Sequence, residues 1–159
     1  MGVSGSGKST LGAKLAQTLA VPFLEGDSFH PPENVSRMAT GIALTDADRA
    51  GWLRTLAEQL RRHADRGVVL SCSALKRRYR DTLRGGAPNM ALIYLSGSPQ
   101  VLAQRMAGRS GHYMPPSLLT SQLATLEPPQ ADEDAVTLDI QRDPPALLGD
   151  ALAWLGSRS

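Results

Sequence analysis

A chain of 159 residues, 42% hydrophobic and 20% charged, is long enough to close one hydrophobic core, so a single domain over residues 1–159 is expected. A formal charge of only +2 without a basic tract argues against a polyanion-binding surface, and 4% aromatics argue against stacking platforms for nucleic acid. One cysteine, Cys72, excludes an internal disulfide framework and fits a reducing cytoplasm, and no apolar run reaches the ~18 residues that read as a membrane-spanning helix.

In chain order, Gly2, Val3, Ser4, Gly5, Ser6, Gly7, Lys8 and Ser9 fit G-x-x-x-x-G-K-[ST], the phosphate-binding loop that opens a helix. Glycines let successive backbone N–H groups turn inward around phosphate oxygens. Lys8 is expected to reach the β/γ-phosphates and Ser9 to hold Mg²⁺, with Thr10 beginning the helix whose positive end faces the anion. Leu11, Leu15 and Leu19 recur every fourth position, which predicts a helix from Lys8 to about Leu19. Such a loop ordinarily hangs from a buried strand, and only Met1 precedes Gly2, so the sequence reads as a chain lacking its first strand.

Val21 to Leu24 reads as a short strand ending in Glu25, Gly26 and Asp27, and His30 to Asn34 as turn chemistry before a short helix through Met38. Thr45 or Asp46 caps a long helix with Leu53, Leu56, Ala57, Leu60 and Ala64 on its core stripe. Further strands are predicted at Val68 to Leu70, Ala91 to Leu95 and Val136 to Ile140. Helices are predicted at Ala74 to about Leu83, Pro99 to Met106, Ser117 to Leu126 and Pro144 to Leu155. Strands alternating with helices imply an α/β fold with a parallel sheet and helices on both faces. Ligands in such sheets bind beyond the strands' carboxyl ends.

The strand-end residues set the expected chemistry. Glu25 and Asp27 leave the same side of an extended segment, Asp27 to orient an acceptor hydroxyl and take its proton, Glu25 and Asp27 to support Mg²⁺. Arg105 and Arg109 are spaced to close on one phosphate chain, and residues 108–116, rich in Gly and Pro, read as a lid that excludes water. Lys76 and Arg80 sit where a carboxylate-bearing acceptor would lie. Gln141 to Pro144, after the last strand, is the expected adenine contact.

The run of G-D-S-F-H-P at residues 26–31, L-T-D-A-D-R at 44–49 with Trp52, C-S-A-L-K at 72–76 with Tyr79 to Asp81, and Gln122 with Leu126 and Glu127 is far more specific than the phosphate loop alone. With these motifs in order, the chain resembles the small gluconokinases of the shikimate-kinase-like P-loop group over nearly its whole length. The resemblance implies transfer of the ATP γ-phosphate to the 6-hydroxyl of D-gluconate, a five-stranded parallel sheet with a lid, Mg²⁺ and commonly a homodimer. It also implies sugar-acid contacts at His30, Arg49, Lys76, Arg80, His112 and Gln122, beside Asp27. A kinase for shikimate or a nucleoside monophosphate, or an ATP-binding module without turnover, stays open as an alternative.

Overall fold

The computed structural model describes residues 1–109 and 115–158. Helix α1 (Lys8–Leu19) buries Leu11, Leu15 and Ala16, and it ends where Ala20 adopts a left-handed conformation (φ 55°) and donates back to Gln17. Strand β1 (Phe23–Glu25) pairs in parallel with β2 (Val69–Ser71), Glu25 opposite Ser71. Between them come α2 (Pro32–Ala39) and α3 (Asp46–Arg62), the latter started by a capping box in which Thr45 and Asp48 satisfy each other's backbone N–H groups. The apolar stripe of α3, with Trp52, Leu53, Leu56 and Leu60, enters the core.

Helix α4 (Arg77–Arg84) leads to β3 (Leu92–Ser96), which pairs in parallel with β4 (Ala135–Asp139). Helices α5 (Pro99–Ala107), α6 (Pro116–Thr125) and α7 (Pro144–Ser157) complete the order. Among the described residues the strands number four, in two parallel pairs, where the resemblance implied one sheet of five. Met1 and Gly2 run between the pairs. Met1 donates to Ile93 and accepts from Leu95 N–H at 3.0 Å, and Gly2 N–H donates to the Ser73 carbonyl at 3.2 Å. An apolar cavity of about 460 Å³ lies alongside, lined by Leu15, Leu60, Leu70, Cys72, Leu83 and Ile93 among others.

The helix expected from Ala74 begins three residues later. Ala74 is left-handed (φ 47°) and Lys76 extended, because the carbonyls of Ala74 and Leu75 turn toward the Arg80 guanidinium instead of entering a helical ladder. Two single 3-10 turns, Gly26–Phe29 and Ala131–Glu133, lie where loop was expected.

Candidate active site

The loop from Gly2 to Ser9 takes its shape from three glycines at positive φ, Gly2 (145°), Gly5 (82°) and Gly7 (91°). Gly5 has a second constraint, since a Cβ there would lie 2.9 Å from Met106 of α5. Ser6 N–H turns back to Val3 at 3.3 Å, while the N–H groups of Gly5, Gly7, Lys8 and Ser9 make no hydrogen bond among the described residues. Unpaired amides at the start of α1 form an anion cradle. Lys8 folds over the loop and donates to the Val3 carbonyl at 3.0 Å. Burial lowers the pKa of its ammonium, opposed by the charges of Asp27 and Glu25.

Parallel pairing delivers those carboxylates. The Ser9 hydroxyl donates to Glu25 at the end of β1, so the loop and the strand end form one site. Gly26 follows, and no larger residue fits, because a Cβ would sit 2.3 Å from the Ser71 carbonyl. The 3-10 turn then presents Asp27 at the surface.

Trp52 of α3 holds this turn from below. Its indole N–H donates to the Gly26 carbonyl at 2.8 Å, and its ring stacks on His30 with centroids 4.0 Å apart and planes 16° from parallel. The buried Asn34 amide donates to the Asp48 carbonyl at 2.9 Å and lies 3.3 Å from His30 Nδ1. With Nδ1 accepting from Asn34, the ring proton of neutral His30 resides on Nε2. Burial lowers the His30 pKa, and the charges of Asp27 and Arg49 act on it from opposite directions.

The basic residues are organised around Asp46 and Tyr79. Asp46 accepts from Lys76 (3.0 Å), Arg78 (2.8 Å) and the Tyr79 hydroxyl. Arg49 donates to the same hydroxyl at 3.0 Å with its guanidinium 5.4 Å from the ring centre. The Tyr79 and Lys76 hydrogen bonds depress the Asp46 pKa, and the Asp46 contact raises that of Lys76. Lys76 and Arg49 are thus cations held in place around Tyr79, and the Arg49 charge reaches His30.

Arg80 departs from expectation. It is fully buried, paired with Glu133 at 2.7 and 2.9 Å and bonded to the Ala74 and Leu75 carbonyls, so its guanidinium has no face left for an acceptor. Its work is structural: it fixes the turn that ends in Lys76. Gln122 is also placed elsewhere than expected, with its side-chain oxygen accepting from Ser4 N–H of the phosphate loop at 2.7 Å.

On the other flank, Arg105 closes the last turn of α5 beside Gly7 and donates to the Ile140 carbonyl at the end of β4. Arg109 lies past the helix end, exposed, yet its charge is felt at Lys8. His112 and most of the expected lid lie outside the described residues. No three His, Cys, Asp or Glu side chains converge among the described residues. Cys72 is buried, and desolvation pushes its thiol up to about 12, which removes it as a nucleophile.

Sequence reasoning passed over Asp46 as an organiser, reading it only as a possible cap, and gave Glu133 no role. Trp52 was part of a quoted motif, but its hold on Gly26 becomes visible only in three dimensions.

Known proteins give this geometry context. Residues 4–133 match the profile of the shikimate kinase family. A gluconokinase of Gluconobacter oxydans is 47% identical over 154 residues, covering 96% of this chain and 86% of that protein. A gluconokinase structure from Sinorhizobium meliloti superposes with a TM-score of 0.90 at 50% identity, covering 98% of this chain and 89% of the other. A sugar kinase from Janibacter gives a TM-score of 0.94 at 48% identity, covering 99% and 92%.

Proposed function

The chain belongs to the shikimate kinase family, and with gluconokinases as its near relatives we propose that it transfers the γ-phosphate of ATP to the 6-hydroxyl of D-gluconate, giving 6-phosphogluconate. The observation that carries this reading is the joining of Ser9 to Glu25, with Lys8 in the field of Asp27, which puts a phosphate cradle and acceptor-side carboxylates in one site.

The chain's own groups divide the work. The free amides of Gly5, Gly7, Lys8 and Ser9 grip phosphate oxygens, and Lys8 exchanges its loop carbonyl for the β/γ-phosphates. Arg105 and Arg109 add charge where it develops on the moving phosphoryl group. Asp27 accepts a hydrogen bond from the acceptor hydroxyl, aims its oxygen at the γ-phosphorus and receives its proton. A loose transition state asks more of that aim than of base strength. His30 offers its Nε2–H to a sugar hydroxyl, and Lys76 and Arg49 meet the carboxylate.

Ser9 and Glu25 offer the hard oxygen donors that would hold Mg²⁺, the buried Ser71 hydroxyl opposite Glu25 has no partner among the described residues, and Mg²⁺ bound there with the nucleotide would supply neutralisation of phosphate charge.

The test is an acceptor panel: ATP with gluconate, shikimate or AMP, followed by ADP release and phosphorus NMR of the product. Turnover with gluconate to a 6-phosphate ester is expected. ADP release only with shikimate or AMP would overturn the substrate, and nucleotide binding without turnover on any acceptor would overturn the enzyme.

A further inference from the structure

Gln122 lies three and four residues beyond Leu119 and Leu118, the two buried leucines of α6, so it shares their inward face. That register carries its side chain to the phosphate loop, where Oε1 accepts from Ser4 N–H at 2.7 Å across 118 residues of sequence. Ser4 is the one amide of the loop held by a side chain among the described residues. Gly2 is held by the Ser73 carbonyl and Ser6 by Val3, whereas Gly5, Gly7, Lys8 and Ser9 stay free. Just past α6 the chain is anchored separately, on either side of Lys76, since Glu127 N–H donates to the Leu75 carbonyl at 2.7 Å and the Glu127 carboxylate accepts from Arg77 N–H.

We propose that Gln122 is a positioning residue for the phosphate loop: by occupying Ser4 N–H it fixes the loop's third residue and leaves the later amides aimed at the nucleotide. An unfilled Ser4 N–H would be free to pull the loop toward another acceptor, and Gly5 next to it offers little resistance. This rests on the nucleotide site proposed above, and it assigns Gln122 to the nucleotide instead of to the sugar acid.

The experiment compares Q122M, which keeps the length and removes the acceptor, with Q122E, which keeps an acceptor and adds a charge. Steady-state constants are measured for ATP and gluconate separately, together with Mg-ADP binding by calorimetry and thermal unfolding without ligand. For Q122M the KM for ATP and the Kd for Mg-ADP are expected to rise about five- to tenfold, the share of one hydrogen bond, with the KM for gluconate within about twofold of wild type. For Q122E, unfolding without ligand stays near wild type while Mg-ADP binding weakens, because the added carboxylate repels phosphate. A rise in the gluconate KM alone, or unchanged ADP affinity in Q122M, would overturn the proposal. A wild-type protein that binds no Mg-ADP would instead strike the nucleotide site itself, and the proposal with it.

Discussion

Lys8 spends its one visible hydrogen bond on a loop carbonyl, a contact that a phosphate replaces at no loss to the fold. Lys8→Ala is therefore expected to leave the unfolding temperature nearly unchanged while lowering kcat by roughly 10²–10³, about 2.7–4 kcal/mol of transition-state stabilisation, checked by steady-state kinetics beside a melting curve. Asp27→Asn separates aim from basicity: a large fall in kcat marks the proton acceptor, a modest one marks orientation alone. Glu133 behaves in the opposite sense, because it is buried against Arg80 and far from the chemistry in role. Glu133→Gln leaves a buried guanidinium without its counter-charge, and a loss of about 3–5 kcal/mol in denaturant unfolding near pH 7 is expected. The Arg80 hydrogen bonds hold the Glu133 carboxyl at about 2, well under its ordinary 4.5. A depressed carboxylate stabilises fully above pH 4.5 and loses that contribution as pH falls toward 2, so the gap between variant and wild type should close across that window. None of this was legible for Arg80: a cation one helical turn after Lys76 looks alike in sequence whether it faces solvent or an acid fifty-three residues on.

Elements were legible where hydrophobic period and caps agree, as in α1, whose bounds coincide with the stripe Leu11, Leu15 and Leu19, and in α3, opened by Thr45. They were not legible where tertiary hydrogen bonds override propensity. Residues 74–76 have helix-forming side chains, yet the pull of Arg80 on two carbonyls unwinds them. The turn at Gly26–Phe29 is likewise made by a neighbour, the Trp52 indole of α3. Trp52→Phe retains a ring for His30 to stack on and removes only the donor to Gly26. It is expected to cost about 1–3 kcal/mol of stability and to lower kcat through a displaced Asp27, measured by denaturant unfolding and kinetics on the same preparation. Gly26→Ala attacks the same point by bulk, and its Cβ would force β1 and β2 apart at the Ser71 carbonyl.

Across the whole molecule, the parallel pairing of β1 with β2 sets Glu25 beside Ser71, forty-six residues on, while α5 and α6 close the nucleotide side. The α/β architecture and the phosphate loop were readable because both rest on local patterns, but the division into two strand pairs depends on long-range register. If the amides of the loop bind nucleotide as proposed, Mg-ADP at a hundred times its Kd should add about 2.7 kcal/mol to the unfolding free energy, a rise of several degrees in a thermal scan. The recess beside β2 and β3 has a consequence for small solutes. About 460 Å³ lined by Leu15, Leu60, Leu70, Leu83 and Ile93 among others exists only while the chain is folded, so an apolar molecule that settles there stabilises the fold by mass action. Benzene or xenon added to a thermal scan should raise the unfolding temperature, followed by the fluorescence of the two tryptophans.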